Sequence, residues 1–93
     1  MIERISLNKG QILTITNIKK MLDSARSSFQ YAKFIMHNGI YIIVYYNKDQ
    51  TFEISTNSRN IQIYQQIVSL KRSYSQNRLC DFIFNWIQIL NKN

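Results

Sequence analysis

The apolar residues of this chain follow a helical rhythm, then a strand rhythm, then a helical one again. Early in the chain they recur at Ile18, Met21, Leu22, Ala25 and Phe29, the spacing of an amphipathic helix, with Lys19, Lys20, Asp23 and Arg26 largely off that face. Thr16-Asn17 ahead of the series predicts its cap, and Ser27-Ser28 weakens its last turn.

The middle of the chain turns to β-prone runs. Ala32–His37 and Ile40–Tyr46 flank Asn38-Gly39, and Asn-Gly between such runs is a strong short-range hairpin signal. With Asn38-Gly39 as the loop, Met36 faces Tyr41 and Phe34 faces Ile43. A second turn around Asn47-Lys48-Asp49-Gln50 leads into Thr51–Thr56, pairing Tyr46 with Thr51, Tyr45 with Phe52 and Ile43 with Ile54. This register predicts a core face of Phe34, Met36, Tyr41, Ile43, Tyr45, Phe52 and Ile54. The opposite face then carries Lys33, Ile35, His37, Ile42, Val44, Tyr46, Thr51, Glu53 and Ser55, more apolar than a fully solvated face requires.

Helical spacing resumes after Asn57 or Ser58, either of which caps a helix through Arg72 with Ile61, Ile63, Tyr64, Ile67, Val68 and Leu70 apolar. Ser73-Tyr74-Ser75 breaks it. A last helix, Gln76 to Leu90, carries Leu79, Cys80, Phe82, Ile83, Phe84, Trp86, Ile87, Ile89 and Leu90. Both are apolar over more than the ~100° stripe of a surface helix, so each is expected to touch more than one neighbour. At the start of the chain, Ile5-Ser6-Leu7 and Gln11-Ile12-Leu13 around Asn8-Lys9-Gly10 read as a short hairpin with Gly10 left-handed, or else as an irregular arm.

The expected fold is therefore α+β: a small antiparallel sheet, a three-stranded meander extended by the N-terminal hairpin, with three helices in the order (ββ)α-βββ-α-α. The α-βββ-α part resembles the double-stranded-RNA-binding domain in topology alone. Where that domain opens its second helix with a glycine turn and a lysine-rich motif, Thr56-Asn57-Ser58-Arg59-Asn60-Ile61 has one basic residue and no glycine. No family is assigned on that basis.

Length changes this picture little: 93 residues fit one small globular domain, 1–93. The 45% hydrophobic content is too high for a disordered basic tail. Ile, Asn, Lys, Tyr, Phe and Met outnumber Gly, Ala, Arg and Pro several-fold, the mark of a low-G/C genome such as a phage or mobile element. Charge changes the picture more. Twelve Lys+Arg against five Asp+Glu give +7, which points to an anionic partner. The cations belong to the helices and the N-terminal arm, while the sheet is nearly neutral.

Lys19, Lys20 and Arg26 form one basic cluster, and Lys71, Arg72 and Arg78 another around the corner between the last helices, with Tyr74 inside it. Together with Arg59 these are the candidate contacts to nucleic acid or a nucleoprotein, phosphate-directed with one stacking aromatic. Lys71 and Arg72 also have a purely structural reading, as cations at a helix C-terminus. The competing functional reading is a protein–protein module: a homodimer, a complex subunit or a mobile-element inhibitor of a host protein. It would use Ile35, Ile42, Val44 and Tyr46 on the outer sheet face and Trp86 on the last helix.

Catalysis is not expected. The acids Glu3, Asp23, Asp49, Glu53 and Asp81 show no motif-like spacing, and one histidine with one cysteine falls short of a zinc site. Cys80 lies on an apolar helix face, where a cysteine packs as a small hydrophobe. No cofactor, metal or small-molecule substrate is expected. No apolar run approaches the ~20 residues of a membrane helix, and Met1-Ile2-Glu3-Arg4 does not open a signal peptide, so a cytoplasmic protein without a disulfide is the expectation.

Overall fold

The computed structural model describes residues 3–28, 30–70 and 75–92, so Phe29 and the candidate contacts Lys71, Arg72 and Tyr74 lie outside the described residues. Strands β1 (Glu3–Ser6), β2 (Tyr31–Ile35), β3 (Tyr41–Tyr46) and β4 (Phe52–Thr56) form one sheet in the order β1-β2-β3-β4. Helices α1 (Ile15–Ser28), α2 (Ile61–Leu70) and α3 (Gln76–Leu90) complete an α+β fold whose element order is close to the expected one.

The N-terminal hairpin is the first correction. Only its first arm is a strand, and β1 pairs parallel with β2, Glu3 beside Ala32 and Ile5 beside Phe34. Helix α1 is thus the crossover of a β-α-β unit, and the sheet is mixed. Gly10 does hold a positive φ of 75°. Its amide, however, donates to the Asn91 carbonyl (3.0 Å) instead of closing a hairpin. The reason is burial: Leu7 and Leu13 are both 4% exposed, and so short a hairpin offers too few ladder bonds to compete with placing both leucines in the core.

Both remaining hairpins sit one residue away from the expected register. Phe34 faces Ile42 and Ile35 faces Tyr41; farther on, Tyr46 faces Phe52 and Val44 faces Ile54. The first loop is His37-Asn38-Gly39, closed by Met36 N–H to Ile40 O (2.7 Å), with Gly39 at φ 84°. The second is Lys48-Asp49-Gln50, closed by Asn47 N–H to Thr51 O (2.9 Å), with Gln50 at φ 68°. Three-residue loops ending in a left-handed residue are a standard hairpin form. A one-residue slip turns a strand over. The second slip cancels the first at β4, so β3 alone is inverted.

Gln50 therefore occupies a conformation that costs an L side chain about 1–2 kcal/mol. Glycine there relieves the strain but loses more chain entropy, about 0.5–1 kcal/mol. Gln50→Gly is expected to raise the thermal midpoint by a few degrees, and a midpoint that falls would contradict the loop assignment.

The inverted β3 places Ile42 and Val44 in the core with Ala32, Phe34 and Phe52, under Ile18, Leu22, Ala25, Leu79, Ile83 and Ile87 from α1 and α3. Tyr41, Ile43 and Tyr45, expected in the core, lie half-exposed on the other face. The helix caps also move. Thr14 Oγ1, not Thr16 or Asn17, accepts at the start of α1, from Asn17 N–H (3.2 Å). Asn60 Oδ1 accepts from Ile63 N–H (3.1 Å) at α2, in place of Asn57 or Ser58. Helix α3 has the expected bounds, with Ser75 Oγ accepting from Arg78 N–H (3.3 Å). Trp86 is fully buried, and its Nε1–H donates to Gln66 Oε1 (2.6 Å), joining α3 to α2.

Asn91, just past α3, is 1% exposed and fully used. Its Nδ2 donates to Asn8 O (2.7 Å) and Gln11 O (2.8 Å), while Oδ1 accepts from His37 N–H (2.9 Å) and faces His37 Nδ1 (2.8 Å). One side chain thereby fastens the Gly10 turn and the first hairpin loop to the end of α3.

Candidate nucleic-acid interface

Turning β3 over decides what the open face of the sheet displays. Tyr31 lies beside Tyr45; Arg4 lies beside Lys33, which lies beside Ile43; Ser6 lies beside Ile35, which lies beside Tyr41. Two cations in the middle row are thus flanked on either side by rows carrying tyrosine. Buried and half-exposed positions alternate along β2 and along β3 up to Tyr45, the mark of one covered and one open face.

The side chains of this face rest on one another. The Tyr31 and Tyr45 rings are 5.5 Å apart and tilted by 55°. The Lys33 ammonium sits 4.9 Å from the centroid of the Tyr41 ring, a cation–π contact to a diagonal neighbour. Glu53 of β4 stands on the same face beside Tyr45, one row from the two cations. Like charges side by side across a sheet repel, and an anion laid over the row removes that repulsion. The open face therefore combines aromatic surface for planar groups with a cationic middle row, its one acid, Glu53, lying to the side of that row.

The helix-borne cations are arranged differently. Lys19 and Arg26 come together in a shallow depression that they share with Asp23, Ser75, Gln76 and Asn77. Arg26 Nη1 donates to Gln76 Oε1 (2.7 Å), and Gln76 Nε2 donates to Asp23 Oδ1 (2.5 Å). A carboxylate within the cluster opposes an incoming phosphate, and these bonds tie α1 to the start of α3. The Arg26 guanidinium also lies 5.7 Å from the Tyr46 ring. Lys20 and Arg59 are exposed, while Arg78 is exposed with its guanidinium 5.8 Å from the Phe82 ring.

Of the apolar interface residues expected from the sequence, Ile35 stands half-exposed on the open face. Tyr46 is half-buried on the core side, its ring 5.0 Å from that of Phe52. Ile42, Val44 and Trp86 are each 0% exposed, which removes them from any surface. Sequence reasoning missed Arg4, Tyr31, Lys33, Tyr41 and Tyr45 as a group. The available signal was the tyrosine itself: its hydroxyl prefers contact with water, so the Tyr41/Tyr45 set is the better candidate for the outer face of β3.

The single histidine and the single cysteine are both engaged by the fold. His37 Nδ1 faces Asn91 Oδ1, whose orientation is set by the donors on the other side of the amide, so Nδ1 carries the proton. Burial pushes the Cys80 thiol up from 9.0 to about 11, with Asp81 and Asp23 adding to the effect and Lys19 opposing it. A thiol whose value rises on folding stabilises the fold below its unfolded value, and that contribution is lost as pH rises from 9.0 toward about 11. At pH 8 Cys80 is expected to resist a thiol reagent in the folded protein and to react promptly in denaturant; equal rates would contradict its burial. Among the described residues no group of His, Cys, Asp or Glu is placed to hold a metal ion, and no helix is long and apolar enough to cross a membrane. No family model, curated protein or solved structure matches this chain.

Proposed function

We propose that this protein is a non-enzymatic module that binds nucleic acid through the open face of its sheet. The carrying observation is the Arg4–Lys33 pair set between rows bearing Tyr31 with Tyr45 and Tyr41 with Ile35. Phosphate contacts position such a ligand, and aromatic faces hold its bases. The remaining excess of a +7 chain, including Lys19, Lys20, Arg59 and Arg78, acts at longer range by raising the encounter rate with a polyanion. On this reading the helix-borne cations, expected from the sequence as direct contacts, serve attraction. A reducing, cytoplasm-like compartment suits the unpaired, buried Cys80.

Titration of labelled oligonucleotides at low and moderate salt tests the reading. Binding should weaken steeply as salt rises, because each neutralised phosphate releases counterions. Absence of binding at the lowest salt rejects it.

A second reading draws on α2, where Ile61 (70% exposed), Tyr64 (61%) and Val68 (52%) form an outward apolar stripe. The segment Ile61–Leu70 carries no charged residue, so two copies of a +7 chain can meet there without added repulsion. A homodimer of this kind predicts a doubled mass in light scattering that Val68→Glu returns to the monomer. A monomer at high concentration excludes it.

A further inference from the structure

We infer that the ligand of the open face is a single strand, DNA or RNA, with its bases unstacked onto Tyr31, Tyr45 and Tyr41 and its phosphates along Arg4 and Lys33. This rests on the nucleic-acid reading above and narrows it to a class of ligand and a mode of binding.

Spacing carries the first step. Tyr41 and Tyr45 project from the same face of β3, four residues apart, which at ~3.3 Å per residue separates them by about 13 Å. Neighbouring bases of a stacked strand rise only ~3.4 Å. Bases resting on both tyrosine positions therefore cannot be stacked neighbours, and each must give up a stacking partner in the strand to turn a face to its ring. A duplex covers every base face with the next pair and offers its grooves and backbone alone, so the tyrosine rings would gain nothing from it.

The placement of charge carries the second step. The cations occupy the row between the two aromatic rows, so a backbone crossing that row brings its phosphates to Arg4 and Lys33 while bases fall to either side. The two ends of the site are unequal. Tyr31 and Tyr45 already form an aromatic pair, whereas the Tyr41 ring is capped by the Lys33 ammonium at 4.9 Å. For a base to stack on Tyr41, Lys33 must leave the ring, and the phosphate beside that base is the group it moves to. Lys33 exchanges a cation–π contact for an ion pair, so the free protein keeps its second aromatic position covered until a strand arrives.

The experiment compares a short oligothymidylate, the same strand annealed to its complement, and inorganic polyphosphate, at matched salt and by fluorescence anisotropy or competition. The single strand is expected to bind about tenfold or more tightly than either competitor. Tyr31→Ala with Tyr45→Ala should weaken the strand roughly a hundredfold, from ~1–3 kcal/mol of stacking per base, and leave polyphosphate unchanged. Tyr31→Phe with Tyr45→Phe, which keeps the rings, should retain binding and guards against loss of fold. Arg4→Gln with Lys33→Gln should lower the slope of log K against log salt by about 1.4, at ~0.7 per phosphate on a single strand. A duplex bound as tightly as the strand, with no effect of the alanine pair but loss on removing the cations, overturns this inference and leaves nucleic-acid binding intact. Absence of binding to strand and duplex alike overturns both.

Discussion

Asn91→Leu is expected to destabilise the protein by about 3 kcal/mol, from orphaned partners costing roughly 1–3 kcal/mol each before they find water. Leucine keeps the branched shape of asparagine, with bulkier methyl groups, but can neither donate to Asn8 O and Gln11 O nor accept from His37 N–H and His37 Nδ1–H. At ~4–8 °C per kcal/mol for a domain of this size, the thermal midpoint should fall by roughly 15 °C. Two companions separate this from a packing effect. His37→Ala removes only the imidazole partner and should cost about 1 kcal/mol. Asn91→Asp keeps the acceptor toward His37 but turns a carboxylate oxygen toward two carbonyls, so it should not rescue. Equal midpoints for the wild type and Asn91→Leu would show that the three segments are held without this side chain.

Trp86→Ala is expected to cost about 4 kcal/mol, within the ~3–5 kcal/mol found when large aromatics are truncated in a core. Trp86 is 0% exposed and packs with Phe82, ring centroids 5.7 Å apart, while its indole N–H holds Gln66. A domain of this length has a net stability of roughly 5–14 kcal/mol, so this one truncation removes a large part of it. Trp86→Phe keeps a ring in place and frees Gln66, which is exposed and can turn to water; about 1 kcal/mol is expected. Urea unfolding followed by far-ultraviolet circular dichroism measures both, since the variants lack the indole. A loss under 1 kcal/mol for Trp86→Ala would contradict its place in the core. The same burial separates two signals: the single tryptophan reports folding, and the tyrosines of the open face are the reporters for the proposed binding.

What the sequence made legible was whatever is encoded locally. The last helix was readable to its bounds because Ser75 caps it and its apolar residues run on to Leu90. The meander was readable because Asn38-Gly39 and Asn47–Gln50 separate β-prone runs. The orientation of β3 was not, because both of its alternating sets, Tyr41/Ile43/Tyr45 and Ile42/Val44/Tyr46, are apolar, and the turn decides between them. A two-residue type I′ turn needs two left-handed residues, and Asn38 is not one. The second loop had no glycine to mark Gln50 as its left-handed residue. The partner of β1 was hidden for a different reason: parallel pairing across a helix has no local signature. The site inherits these gaps. Arg4 and Lys33 become neighbours only through that parallel pairing, and the tyrosines reach them only through the inverted strand. On the helices the lysines and arginines were visible, but not that Gln76 would draw Arg26 toward Asp23.

The parallel edge strand also makes the charge of the open face a dynamic quantity. β1 spans four residues, has a single strand neighbour, and is held on α1 by the Ser24 hydroxyl donating to Glu3 Oε1 (2.9 Å). Such an element opens at lower free energy than the meander beside it. Because Arg4 rides on β1, each opening takes one of the two central cations away and leaves the aromatic rows standing. On the proposed reading, affinity for a polyanion is linked to local order of β1, and by reciprocity a bound strand that grips Arg4 would hold β1 shut.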